Sequence, residues 1–278
     1  MGLVDYHVHT TLCNHARGDM ETCCARAAEL GLSGICFLDH LTLRPEQRPL
    51  SMEPAEVPLY YYAARRLARR WEDRLEVRVG LEVDFDPARK DTAREIVESF
   101  SFDVVACSLH YLDDWNLVSR GTQAGNPYEN AETMAEAYFD VLGAMLSDPF
   151  FDVVGHLDGV KKFVEGGGNL PLERWDAAVA AIARAGLCVE VNTSGWDHPA
   201  DEQYPSVGLL EKLYRAGVDV TLGSDAHRPE DMGRYLDRAA SLLSRVGYTR
   251  IRVYEKRNPE TLPLAAPGEA RDGVTGAI

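Results

Sequence analysis

The six cysteines of this chain include no Cys-x-x-Cys pair, and Cys23 and Cys24 are adjacent. That spacing suits a helix and argues against a disulfide framework. Each cysteine lies in or beside an apolar run, so all six read as buried free thiols. No basic segment followed by an apolar stretch opens the sequence, and no apolar run approaches membrane-spanning length. The expectation is a cytoplasmic protein with no membrane partner. Basic residues are scarce: 29 Lys and Arg stand against 44 Asp and Glu, a net charge of −15. Such a surface argues against a nucleic-acid partner, and bound divalent metals would offset part of the charge. Missing too are a Gly-x-Gly-x-x-Gly after a strand, a phosphate-loop signature and a Gly-x-Ser-x-Gly elbow. Nucleotide-cofactor and serine-hydrolase chemistry are left without support.

What is present is one repeated unit: an amphipathic helix, a glycine, then a short apolar strand. Residues 20–30 end at Gly31 and lead into 35–38, and 175–185 end at Gly186 and lead into 187–191. Residues 209–216 end at Gly217 before 218–222, and 236–246 end at Gly247 before 251–253. Glycine suits these stops because a helix end needs a left-handed residue. Further strands are expected at 77–83, 103–109 and 151–154, and further helices at 55–74, 88–100 and 131–146. Such alternation implies a parallel α/β sheet, and seven or eight units close most economically into a barrel. No linker divides the body, and the Gly-Gly-Gly-Asn run at 166–169 reads as a loop. A single domain is expected over residues 1–257. Residues 258–278, rich in Pro, Gly and Ala, are expected to form a flexible tail.

The stretch Leu3-Val4-Asp5-Tyr6-His7-Val8-His9 alternates roughly as a strand, so His7 and His9 project to one face and make half of a metal site. His40, Glu82, His110, His156, Asp225 and His227 fall at the C-terminal ends of the other expected strands, and His15 in the first loop. In a parallel barrel these ends share the rim where active sites are built. His198 does not fit the pattern and reads as a loop residue. Mixed imidazole and carboxylate donors suit Zn²⁺, Fe or Mn²⁺. Seven histidines and two acids exceed what one ion can use, so two or three divalent ions are implied. Such a cluster lowers the pKa of a bound water and clamps the oxygens of a displacement, as phosphoester hydrolysis requires. Lys161 and Lys162 follow His156 closely, and Arg17 lies near His15. Each reads either as a receptor for a phosphate dianion or as a solvated cation. Tyr60-Tyr61-Tyr62 and the Ala-Met stripe over 131–146 read as helix packing.

His7-Val8-His9 with Cys13-Asn14-His15-Ala16-Arg17-Gly18 opens a series of motifs. Leu38-Asp39-His40, Gly80-Leu81-Glu82, Ser108-Leu109-His110, Gly155-His156-Leu157-Asp158 and Gly223-Ser224-Asp225-Ala226-His227 follow. In this order they resemble the motifs of the polymerase-and-histidinol-phosphatase (PHP) phosphoesterases, over about residues 4–233. His110-Tyr111 with Trp115, the run 155–163 and Glu190-Val191-Asn192-Thr193-Ser194-Gly195 are most similar to the histidinol-phosphatases. The resemblance implies a distorted (β/α)7 barrel with a trinuclear metal centre. By motif, His7, His9, Glu82 and Asp225 would hold one metal. Glu82 would bridge to a second held with His110 and His156, and His15, His40 and His227 would hold the third. Glu82, Asp225 and His227 count as catalytic, and a metal-bridging hydroxide would attack phosphorus in line. After Asn-Thr-Ser-Gly the histidinol-phosphatases carry a basic residue that helps bind phosphate, whereas this chain has Trp196-Asp197. Phosphate capture is then left to Lys161, Lys162 and Arg17.

The expectation is a metal-dependent phosphomonoesterase of histidine biosynthesis with a small phosphorylated substrate, L-histidinol phosphate. Three rivals stand beside it. The same centre could serve a nucleotide or another small phosphate ester. An amidohydrolase-type barrel also opens with His-x-His, but it relies on a metal-bridging lysine that no strand here offers. A non-catalytic accessory domain is opposed by the intact ligand set and the lack of an attached module.

Overall fold

Runs of Val, Ile, Leu and Cys with both faces covered are what a parallel sheet under helices demands, and the strands here are built that way. The computed structural model describes residues 2–44, 49–164 and 170–264. In chain order its strands are β1 (Val4–Val8), β2 (Gly34–Leu41), β3 (Glu76–Asp84), β4 (Val104–Ser108), β5 (Tyr111–Leu112) and β6 (Trp115–Asn116). After them come β7 (Val153–Val154), β8 (Cys188–Asn192), β9 (Val220–Gly223), β10 (Arg250–Glu255) and β11 (Asn258–Pro263). Seven of them pair in parallel in the order β1-β2-β3-β4-β7-β8-β9. The ring closes where the amide of His9 donates to Ala226 O at 2.9 Å and that of Ala226 to His7 O at 3.1 Å. The result is a (β/α)7 barrel. A register shift between Asp5 and Val8 and the two-residue β7 distort it.

The expected helices are present: α1 (Met20–Glu29), α2 (Val57–Trp71), α3 (Lys90–Glu98), α4 (Ala131–Ser147), α5 (Asp176–Ala185), α6 (Val207–Arg215) and α7 (Leu236–Val246). Asp19 caps α1 by accepting the Thr22 amide, and Asn130 caps α4 by accepting those of Glu132 and Thr133. At the other end of α5, Gly186 sits at φ 66°, the left-handed stop the sequence asks for. Ile35, Phe37, Val79 and Val105 are fully buried between the sheet and the helices. Removing such a side chain from water is worth about 2 kcal/mol.

One expectation about the C-terminal region is corrected. The strand expected at 251–253 lies outside the seven-stave ring, which β1 and β9 already close. Instead β10 pairs antiparallel with β11, so residues 258–263 form a strand where a flexible tail was expected; residues 265–278 lie outside the described residues. This hairpin corks the N-terminal mouth. Arg257 binds Asp152 with Nε–Oδ2 at 3.0 Å. The amides of Lys256 and Arg257 reach Asp103, and Tyr6 Oη donates to Tyr254 O at 3.1 Å. The loop expected at 166–169 also lies outside the described residues. All six cysteines are free and buried. Among the described residues no helix is long and apolar enough to cross a membrane.

Candidate metal centre

Parallel strands put all their C-terminal ends on one rim, and nine ionisable side chains meet there. His7 comes from β1, with His9 just past its end, while His40 on β2 sits in register with Glu82 on β3. His110 follows β4, His156 follows β7, and Asp225 and His227 follow β9. His15 reaches in from the loop between β1 and α1.

Glu82 lies at the middle, 1% exposed. Its Oε2 is 2.7 Å from His40 Nδ1, 3.4 Å from His7 Nε2 and 3.9 Å from His9 Nε2. Its Oε1 is 3.2 Å from His156 Nε2 and 3.6 Å from His110 Nε2. Five imidazoles crowd one buried carboxylate. His7 Nδ1 donates to Glu190 Oε1 at 2.5 Å, and the facing His7 Nε2 and Glu82 Oε2 are buried with no hydrogen-bond partner. The outer pair has the same form. His15 Nδ1 donates to Cys13 O and His227 Nδ1 to Asp225 O, so in neutral rings both Nε2 atoms present lone pairs, 2.9 Å apart. A divalent cation satisfies opposed lone pairs of this kind.

Among the described residues, donor atoms within 4.8 Å of one another fall into four sets: His7, His9 and Glu82; His40, Glu82 and His110; His15, His40 and His227; and His9, Cys13 and His227. Asp225 Oδ1 lies 3.1 Å from His9 Nε2. Charge is divided across the site. Burial works against ionised Glu82 and Asp225, but the surrounding imidazoles outweigh it and hold both carboxyls well below their ordinary range. Burial likewise opposes the imidazolium of His7 and His9, yet Glu190 and Glu82 hold His7 well above its ordinary value. Asp225 and Asp39 carry His9 to about 9. Burial and the cationic His9 push His40 down to about 3 and His227 well below its usual range. His40 and His227 are therefore neutral donors, while at His7 and His9 a metal would compete with protons.

A family model for the PHP domain matches residues 5–194. The chain belongs to the PHP family. It is 32% identical over 262 residues to the protein of Deinococcus radiodurans named "Probable histidinol-phosphatase", covering 93% of this chain and 99% of that one. With the "Histidinol-phosphatase" of Lactococcus lactis it shares 25% identity, over 91% and 95% of the two chains. The PHP barrel is also that of the solved L. lactis histidinol phosphate phosphatase, complexed with zinc, L-histidinol and phosphate. That structure has a TM-score of 0.79 at 22% identity, covering 93% of this chain and 99% of the other.

Three residues of this PHP site are not singled out by the strand-end pattern. Glu190 holds His7 Nδ1 and accepts the His156 amide at 2.9 Å. Asp39 stands 3.4 Å from His9 Nδ1. Asp84 lies 3.5 Å from His110 Nδ1 and accepts the His110 amide at 3.1 Å. A carboxylate behind an imidazole fixes its tautomer and aims the other nitrogen. The signal that marks them is an acid in or beside an apolar strand, which needs a partner when buried.

The three candidate phosphate-binding cations separate. Lys162 lines a cleft of about 320 Å³ together with His15, His40, His110, His156, Asp225 and His227. Burial there draws its ammonium down from the usual range. Lys161, 4% exposed, turns away: its Nζ is bonded to Glu202 at 2.7 Å, Asp158 at 2.9 Å and Gln203 O at 3.0 Å. Arg17 is exposed at the rim and does not line the cleft; its amide donates to His227 O at 2.8 Å.

Proposed function

We propose that this protein is a metal-dependent phosphomonoesterase that hydrolyses L-histidinol phosphate to L-histidinol and phosphate. The observation that carries the reading is the cluster of imidazoles on Glu82, with the facing Nε2 atoms of His15 and His227 beside it, at the head of a cleft with a lysine on its wall. The match to the D. radiodurans relative along nearly its whole length supports the substrate. We assign His7, His9, Glu82 and Asp225 to one ion, Glu82, His110 and His156 to a second, and His15, His40 and His227 to a third. Zn²⁺, Fe or Mn²⁺ suits the donors. Bound ions of this type acidify water and neutralise phosphoryl oxygens.

The chain's own residues do the rest. Glu190, Asp39 and Asp84 aim the imidazoles. Lys162, poorly solvated, gains a counter-ion when a phosphate dianion enters. Tyr111 and Asn116, on the β5–β6 hairpin, wall the cleft where the organic half of the ester would lie. The test is kcat/KM over a panel of esters with the Zn²⁺- or Mn²⁺-loaded protein. L-histidinol phosphate should exceed nucleoside monophosphates and aryl phosphates by about 100-fold or more, the scale of a few well-placed polar contacts. Equal rates on every ester would reject the substrate, and no hydrolysis of any would reject the reaction.

The two adjacent lysines should part company in the same assay. Lys162→Ala is expected to raise KM by about 10- to 100-fold, the loss of one charge-assisted contact of ~2 kcal/mol. Lys161→Ala should leave KM alone and destabilise the fold by about 3 kcal/mol, since it strands Asp158 beside Glu202. Steady-state kinetics and thermal melts of both variants check this, and an exchange of the two phenotypes would reverse the assignment.

A further inference from the structure

We propose that Arg234, held by Asp197, is a positioning residue that sets the loop carrying Asp225 and His227. Resting on the metal-centre reading above, the inference begins from backbone conformation. Asp225 sits at φ 55°, a region uncommon for a non-glycine residue, and one that support from its surroundings makes easier to hold. Two oppositely charged side chains supply that support. Beneath the loop, the fully buried Asp5 carboxylate collects its donors: the Ser224 amide at 2.8 Å, the Ser224 hydroxyl at 2.5 Å and the Gly233 amide at 2.9 Å. On the other side the Arg234 guanidinium takes the acceptors, with Nε donating to Ser224 O at 2.9 Å and Nη2 to Asp225 O at 3.0 Å.

The Asp225 carbonyl is the junction. It also accepts Nδ1 of His227 at 3.1 Å, the bond that leaves His227 Nε2 free to face His15. Arg234 thereby acts on two candidate ligands through one oxygen. Its remaining arm, Nη1, donates to Asp197 Oδ2 at 3.0 Å, and Asp197 Oδ1 accepts the Tyr235 hydroxyl at 2.8 Å. Trp196 packs beside this pair under the Arg238 guanidinium, 4.2 Å from the ring centre. Asp197 is therefore engaged in holding Arg234, and Trp196 in packing against Arg238. Three bonds in three directions from one plane need the guanidinium fork, and a lysine ammonium cannot reproduce them.

The experiment compares Arg234→Gln, Arg234→Lys and Asp197→Asn with the parent protein. It reads Zn²⁺ affinity by chelator competition, metal content by elemental analysis, the melting of the metal-free form, and kcat and KM on L-histidinol phosphate. Arg234→Gln should weaken Zn²⁺ binding by about 10- to 100-fold, the usual effect of removing a partner behind the ligands. Its kcat should fall while KM stays within about threefold. Arg234→Lys should regain only a minor part, and Asp197→Asn, whose ion pair is partly exposed, should lose less than about tenfold. Unchanged Zn²⁺ affinity in Arg234→Gln overturns the proposal, and so does full rescue by lysine. A rise in KM with normal Zn²⁺ binding would also overturn it, because Arg234 would then be meeting the substrate. If the parent itself takes up no Zn²⁺, the metal-centre reading falls as well, which separates the two failures.

Discussion

Glu82→Gln should leave a folded protein that has lost at least about 1,000-fold in phosphatase activity and at least one metal ion. The amide keeps the size of the side chain and removes only its charge. That charge is central: both carboxylate oxygens are buried, and imidazoles of five histidines stand within 3.9 Å. A unit charge at 4 Å from another is worth about 4 kcal/mol at the effective dielectric of such sites, and twice that against a divalent ion. An affinity loss of three decades is thus the smaller end of what electrostatics allows. Linkage gives an independent reading in the metal-free form. Glu82 has its carboxyl well below the ordinary range when folded, so it contributes stability above about pH 4.5 that fades as acid protonates it. The variant should melt lower than the parent at pH 7 and converge on it in acid. Elemental analysis, kinetics and melts across pH decide the matter; an active, fully loaded Glu82→Gln enzyme would refute the central role.

Exhaustive chelation should abolish hydrolysis and lower the melting temperature by about 10 °C or more. An ion present at 100 to 1,000 times its dissociation constant stabilises the native state by about 3–4 kcal/mol. Two such ions contribute about 6–8 kcal/mol, and in a domain of this size each kcal/mol moves Tm by about 2–4 °C. Much of the apo protein's loss should appear as mobility at the rim, where the Nε2 atoms of His15 and His227 face each other at 2.9 Å. Adding back Mn²⁺ or Zn²⁺ should restore both rate and melting point. A chelated protein with the same Tm and full rate would show that the histidines are structural.

The barrel and the convergence of its strand ends were legible in the sequence because both follow from local periodicity. His7 lies near the end of the first strand with His9 two residues on, and His40, His110, His156 and His227 lie at or just past the ends of later strands. Closure was not local. Whether residues 251–253 became a stave or a cork depended on whether β9 had already found β1, which no window of sequence reports. Asp39, Asp84 and Glu190 were visible as acids in strands, yet β8 is buried on both faces, so pattern alone did not say where Glu190 pointed. Lys161 and Lys162 made the same difficulty sharper. Neighbours in the chain, they leave a turn in different directions, one to Asp158 and Glu202 and the other to the cleft.

The hairpin at the barrel floor bears on how the molecule is made. Tyr6 bonds to Tyr254, 248 positions away, and His9 waits for Ala226 to complete the seam. Contacts at such separations form late and slowly. During synthesis on the ribosome the staves can pair in succession as they emerge, but the cylinder stays open at the seam and uncorked below until nearly all of these residues are out. The rim is therefore complete only once the loop bearing Asp225 and His227 has met the first strand.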